Sequence, residues 1–319
     1  VIPIDRTQLS PKEKLPVAFF CFKRPDLTAN VFRAICEYEP KALHVFLDAA
    51  RPNVPGELES VEEVKRMFEA VGHRFPIIHH FAEENLGIQG SFHRGLLAMA
   101  ESHEKFIVLE DDCLPNQEFF NFMTDCLDYF DSSSSVGMVQ GLNLNSFSRC
   151  MRVRGYVSSR MKIWGWGTWR ESVAGFDPSE KPWLHEDANG VLKYAGWNAL
   201  ERKRFLAALH SIDQLGTWDY QWVYHLLRQR RYSLSPVGNF IVNLGFGEDS
   251  IHTVIPWPSA RRSPKPDLAW GKLGDIKTRV HWIDNAEFYL RTVIDVLYAL
   301  RHIELVARHV LKKSRNSRG

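Results

Sequence analysis

Three adjacent carboxylates, Glu110, Asp111 and Asp112, follow directly on the apolar run Phe106-Ile107-Val108-Leu109. The run predicts a buried strand. Burying three neighbouring anions costs several kcal/mol unless something cationic meets them, so they belong at a strand's exposed end. In open α/β sheets ligands bind at that end. A divalent ion held by one or two carboxylates, its shell completed by substrate phosphates, would balance the charge. The pattern points to a metal-assisted nucleotide site. The competing reading is an acidic helix start favoured by the helix dipole, because Pro115 is predicted to open a helix through Phe119, Phe120, Phe122 and Met123.

Other chemistry-bearing residues also follow apolar runs. Lys23-Arg24-Pro25 places two cations between a strand and a helix, suited to phosphate or nucleotide and equally to a charged surface loop. Asp48 ends a second strand, where it could bond a base edge or form a turn. Asn85-Leu86-Gly87 precedes a helix carrying His93 and Arg94 and has the form of a substrate-cradling loop, although a lone histidine is more often structural. Trp218-Asp219-Tyr220 opens a helix after Gly216; Asp219 there is either a cap or an aromatic-flanked base for a sugar hydroxyl. His252, after Glu248-Asp249, is a weaker candidate for a metal or a diphosphate oxygen.

The elements that must position these groups alternate through the first half. Strands are predicted at Val17–Phe22, Leu43–Leu47, Pro76–His80 and from Phe106, with helices at Asp26–Tyr38, Leu58–Val71 and Ile88–Ala100. This alternation predicts an α/β fold with a mostly parallel sheet covered on both faces. A further strand is expected at Val136–Gln140. The second half is less regular: Trp164-Gly165-Trp166-Gly167-Thr168-Trp169 is too glycine-rich for a helix interior and too aromatic for a solvated loop. Helices are expected at Arg202–Ile212 and Trp218–Arg230, short strands at Tyr232–Leu234 and Asn239–Asn243, and a flexible loop from Gly245. Residues 256–275 read as a linker. From Asn285 to Lys313, Leu290, Val293, Ile294, Leu297, Leu300, Ile303 and Val306 follow helical spacing and end in a basic cluster. The expected organisation is a catalytic domain over 1–255, with a nucleotide-sugar half at about 15–112 and an acceptor half at about 113–255, and a linker with an amphipathic basic tail over 256–319.

The chain has 319 residues, 45% hydrophobic and 24% charged, which is ordinary for a soluble globular protein. A net charge of +2 gives no pull towards nucleic acid. Ten Trp and twenty Phe suit a heavy core or sugar-stacking platforms. The five cysteines form no CxxC pair and suggest a reducing, cytoplasmic compartment and no zinc site. No stretch approaches the ~20 apolar residues of a membrane span. The basic tail over residues 285–319 has the composition of a helix lying peripherally on the inner membrane face, with packing on the catalytic domain or in a homodimer the equal alternative.

Taken in order, Val108-Leu109-Glu110-Asp111-Asp112 with Pro115 and Phe119-Phe120, then Gly165-Trp166, Trp218-Asp219 and Gly245-Phe246-Gly247, the chain resembles the family of the Golgi N-acetylglucosaminyltransferase that begins complex N-glycan branching, and its bacterial relatives. The resemblance runs from about Val17 to Thr253. It implies a GT-A fold and an inverting, Mn2+-dependent (or Mg2+-dependent) transfer from a UDP-sugar, GlcNAc foremost, to a glycan or lipid-linked acceptor. By position it implies Asp112 as the single carboxylate on the metal and Glu110 and Asp111 as contacts to donor sugar and ribose. It likewise implies Arg24 and Asp48 as uridine contacts, Asp219 as catalytic base, and Trp218 beside the donor sugar, with Trp166 in the substrate site. Glu248 and Asp249 replace the basic residues of the family's closing loop, and His252 stands near its phosphate-touching serine.

Three rival functions share part of this pattern. A sugar nucleotidyltransferase would use the same sheet and metal but normally shows a glycine-rich phosphate loop, which Cys21-Phe22-Lys23-Arg24-Pro25 is not. A glycoside hydrolase needs two facing carboxylates and no nucleotide. A non-catalytic carbohydrate-binding protein would bind without turnover.

Overall fold

The computed structural model describes residues 13–69, 74–130, 135–144, 153–245, 276–277, 284–286, 288–290 and 292. Its first half is a run of parallel strands and helices: β1 (Val17–Cys21), α1 (Pro25–Tyr38), β2 (Leu43–Leu47), α2 (Glu57–Glu69), β3 (Ile77–Phe81), α3 (Gly87–Ser102) and β4 (Lys105–Glu110). Strands β1, β2 and β4 are apolar through their centres and buried on both faces, as parallel strands sandwiched by helices must be. Pairing is parallel between β1 and β2, β2 and β3, and β1 and β4, so the C-terminal ends of all four strands share one edge. Gly95 lets α3 settle on β1, since a Cβ there would strike the Phe20 ring.

The second half extends the same sheet. It contributes β5 (Cys113–Pro115), α4 (Gln117–Tyr129), β6 (Val136–Gln140), β7 (Gly155–Ser158) and β8 (Trp166–Trp169). The short α5 (Arg170–Val173) and α6 (Ala188–Tyr194) follow, then α7 (Ala199–His210), α8 (Ile212–Leu215), α9 (Asp219–Arg228), β9 (Tyr232–Pro236), β10 (Ile241–Asn243) and β11 (Ile276–Lys277). The strand order is β11-β7-β9-β6-β8-β4-β1-β2-β3, with β10 and β5 as a separate antiparallel pair. Five of the eight pairings in the large sheet are parallel. The α/β fold with a mostly parallel central sheet flanked by helices therefore holds.

Several local expectations change. The helix expected from Pro115 begins at Gln117, capped by the Asn116 side chain, and Pro115 ends β5 opposite Ile241. Because β5 separates the acidic run from α4, the three carboxylates do not start a helix. The Trp-Gly-Trp segment is β8, antiparallel between β4 and β6. A Cβ at Gly167 would strike Leu127, so bare backbone is what lets α4 approach the strand.

Beyond residue 256, β11 pairs in parallel with β7, and helical residues 284–286 and 288–290 lie near α7, where Arg204 donates to Thr292. Leu290, first of the predicted stripe, is exposed, and the later stripe positions lie outside the described residues. So do Cys150, the 256–275 linker and the loop from Phe246 through His252. Among the described residues no helix is long and apolar enough to cross a membrane.

Candidate active site

The shared C-terminal edge of β1 to β4 gathers the residues singled out from sequence. Glu110 ends β4 in register with Phe20, and Asp111 and Asp112 continue past the edge. Arg24, at the start of α1, reaches across from β1. Its guanidinium donates to both oxygens of Asp111 and, at 3.0 Å, to Asp112 Oδ2. Burial alone would lower the Arg24 pKa, but the two carboxylates outweigh it and raise it. Burial pushes Asp111 up to about 6 even with Arg24 pulling the other way. Burial, then the charges of Asp112 and Asp111, hold Glu110 well above the ordinary carboxylate range, and Asp219 adds to that rise. One cation thus faces three carboxyls in a poorly solvated place, where burial favours a proton on Glu110 unless a further cation is present.

Asp112 is the more accessible of the Arg24 partners, its side chain 15% exposed against 4% for Asp111. Its backbone carbonyl accepts from Leu244 N–H at 2.7 Å, which brings the start of the glycine loop over the carboxylate. A Cβ on Gly245 would collide with Asp112 Oδ2, so only glycine permits this approach. Among the described residues no group of three or more His, Cys, Asp or Glu side chains is arranged to enclose a metal. A lone reachable carboxylate beside buried, undercompensated anions suits the mode in which one or two protein oxygens hold a divalent ion and substrate phosphates supply the rest. Asp112 fits that role; His252 lies outside the described residues.

Asp48 occupies the same edge, but both its oxygens are engaged. Oδ1 accepts from Ala49 N–H and Leu86 N–H, and Oδ2 from the Asn85 amide. Burial raises its pKa while these backbone N–H groups oppose the rise. It pins the Asn85-Leu86-Gly87 loop to β2, the turn-forming alternative for this residue. Lys23 turns away from the carboxylates to Glu57, 2.6 Å away, which also binds Arg51. On α3, His93 packs edge-on to Phe176, and Arg94 is exposed within electrostatic reach of Asp48.

Asp219 is the first residue of α9, with Trp218 at the cap position and no side-chain capping bond, so it does not serve as a cap. Thr217 Oγ1 donates to its Oδ1. The loop is fastened from the other half of the protein by Gln89 of α3, whose amide donates to Thr217 O at 2.7 Å. Trp218 is 1% exposed and stacks on Phe92 at 4.0 Å, which stacks on Phe20 and so on Phe46. Trp166 packs behind it at 6.0 Å and is itself fully buried. With both indoles enclosed, neither offers a ring face to a sugar; they form an aromatic column from β2 to α9 that sets the position of Asp219. Gln89 and Thr217 carry no sequence signal, because their pairing spans 128 residues.

No family model matches the chain, and no curated protein matches it. Among solved structures it is similar to a mannosyltransferase from Pyrobaculum calidifontis in complex with GDP-Man and Mn2+, at 14% identity and a TM-score of 0.35 over 53% of this chain. It is also similar to mouse xyloside xylosyltransferase 1 in its apo form, at 8% identity and a TM-score of 0.34, over 68% of this chain and 82% of that one. The inositol-1-phosphate CTP transferase from T. maritima aligns at 9% identity and a TM-score of 0.28, over 51% of this chain and 74% of that one. The chain spans only 50% of the mannosyltransferase's length. At these identities and TM-scores the likeness singles out neither a family nor a substrate.

Proposed function

We propose that this protein is an inverting, metal-dependent glycosyltransferase of the GT-A type, moving a sugar from a UDP-sugar to a hydroxyl of a glycan or lipid-linked acceptor, with GlcNAc the leading donor. The observation that carries the reading is the charge imbalance at the β4 edge. Glu110, Asp111 and Asp112 meet one guanidinium, and Asp219 stands close enough for its charge to be felt at Glu110. In this reading Arg24, Asp48, His93 and Arg94 flank the nucleotide, Glu110 and Asp111 the donor sugar and ribose, and Asp112 holds Mn2+ or Mg2+.

When bound, the ion supplies charge stabilisation for the departing diphosphate. Asp219 accepts the acceptor hydroxyl's proton as the new bond from that oxygen to the anomeric carbon forms and the bond from that carbon to the diphosphate oxygen breaks. One base and no protein nucleophile give a single displacement, hence inversion. A general acid is not needed, because the diphosphate leaves as a stable anion that requires no proton.

The test is calorimetric titration of UDP with and without Mn2+. Wild type should bind UDP in a Mn2+-dependent way, and Asp112→Asn should lose that dependence, with affinity roughly 10- to 100-fold weaker as for loss of a metal-orienting group. Metal-independent binding in wild type, or unchanged affinity in the variant, would remove the assignment.

A further inference from the structure

Beside the Asp219 loop lies a cavity of about 330 Å³, within the range of small-molecule sites. Its inner wall is a fixed set of charges. Arg160 donates to both oxygens of Glu201, at 3.1 and 2.7 Å, and to Asn285 Oδ1 at 2.7 Å. Ser158 Oγ donates to Asp284, whose carboxylate lies 3.6 Å from Arg160. These side chains are nearly enclosed, 12% exposed for Arg160 and 4% each for Glu201 and Asp284. The same Arg160 lies over the Trp197 ring at 5.4 Å, and Phe288 meets the Arg204 guanidinium at the exposed side of the cavity. Tyr220, the residue after Asp219, lines it too.

The Arg160 N–H groups are spent on Glu201, Asn285, Ser159 and Gly196, so the cluster fixes the shape of the wall. What the cavity offers a polyhydroxylated ring is aromatic faces for its C–H bonds and remaining carboxylate lone pairs for its hydroxyls. The helix α9, which opens with Asp219, also supplies Tyr220 to the cavity wall, and that shared element points to the role such a ring would have. We infer that this cavity holds the saccharide acceptor, and that Asp284 and Phe288 form its specificity-determining wall. The inference rests on the glycosyltransferase reading for the word acceptor; the saccharide site itself does not. It gives the residues beyond 256 a part in substrate choice rather than only in attachment.

Saturation-transfer NMR on the full chain tests it, using methyl glycosides of glucose, galactose, mannose, N-acetylglucosamine and glucuronic acid, each with and without UDP and Mn2+. At least one glycoside should receive saturation in one of the two conditions. Phe288→Ala should weaken that glycoside roughly three- to tenfold, the size of a lost aromatic contact, with UDP affinity unchanged. Arg204→Ala, at an exposed position that does not threaten the fold, should weaken it about threefold. No saturation of any glycoside in either condition, or saturation indifferent to both substitutions, overturns the inference. Saccharide binding that survives while UDP binding proves absent would strike only the glycosyltransferase reading.

Discussion

At the end of β4 one guanidinium, Arg24, answers for Asp111 and Asp112 with Glu110 and Asp219 nearby. Beside β7 one guanidinium, Arg160, is shared by Glu201 and Asp284 and is further fixed by Asn285 and Trp197. Both clusters are poorly solvated, so in both the cost of burying charge is high. They differ in the remainder. The Arg160 cluster has a second cation, because Lys162 stands within electrostatic reach of Asp284, so two cations meet two carboxylates, with hydrogen bonds from Ser158 and the Asn198 backbone added. The Arg24 cluster keeps an excess of negative charge that no described cation offsets. A balanced buried network fixes a shape; an unbalanced one leaves room for a cationic ligand to complete it. On the proposed reading, the chemistry belongs to the first cluster and recognition to the second.

The largest effect that would break this division is at Asp219. Asp219→Asn keeps the shape of the loop but removes the proton acceptor, and turnover should fall by roughly 10²–10⁴-fold with Mn2+-dependent UDP binding intact. Near-normal transfer would move the base elsewhere, with Glu248 and Asp249 next in line. In the balanced cluster the corresponding loss should appear as stability. Glu201 pairs with Arg160 and also closes the capping box of α7 with Asn198. Glu201→Ala leaves a buried guanidinium short of its main partner, at a cost of about 3–5 kcal/mol. A thermal scan should show this as a Tm lowered by roughly 10 °C, at a few degrees per kcal/mol in a domain of this size. A Tm within a degree or two of wild type would mean that the network contributes little.

The two clusters also differ in how far the sequence announced them. The acidic edge is local: an apolar strand ending in Glu110-Asp111-Asp112, and Arg24 and Asp48 ending strands that had to be parallel because helices separate them. Period and order suffice to bring these residues to one edge. The Arg160 cluster joins positions 41 and 126 residues apart, Arg160 to Glu201 and Ser158 to Asp284, and no periodicity encodes such a meeting. Asn198-x-x-Glu201 has the spacing of a capping box, although the sequence pattern places the helix only from Arg202, and that spacing says nothing of Arg160. The aromatic residues mislead for a different reason. A Trp beside a carboxylate has the same sequence in a sugar platform and in a core, and burial decides between them. Trp166 and Trp218 are core; Trp197, far less conspicuous in the sequence, lines the cavity that α9 borders with Tyr220. Strand β10 falls within the expected strand Asn239–Asn243, but β5 is missed because Pro115 reads as a helix start; their pairing places Gly245 against Asp112.

The smallest predicted effect sharpens the comparison through protons. Histidines His44 of β2, His80 of β3 and His103 at the end of α3 form a hydrogen-bonded row, at 3.0 and 2.9 Å. Burial, then the neighbouring histidines, lowers His44 to about 4 from its ordinary 6.5, and burial lowers the other two. Between those values the unfolded chain binds more protons than the folded one, so this region is at full stability above pH 6.5 and loses it as pH falls towards 4. Asp284 has the opposite sign. Burial raises it from 3.8 to about 6, the folded state binds the extra proton, and its contribution is fullest below 3.8 and declines as pH rises through 6. Taking the protein from pH 7 to pH 5 should therefore loosen β2 and β3 while tightening the contact of Asp284 with Ser158 of β7. Hydrogen exchange, corrected for its intrinsic pH dependence, should show protection falling at 43–47 and 77–81 and rising at 155–158, each by roughly tenfold or less. Protection moving in the same direction at both places would mean that Asp284 is not the buried carboxylate that closes the cavity wall.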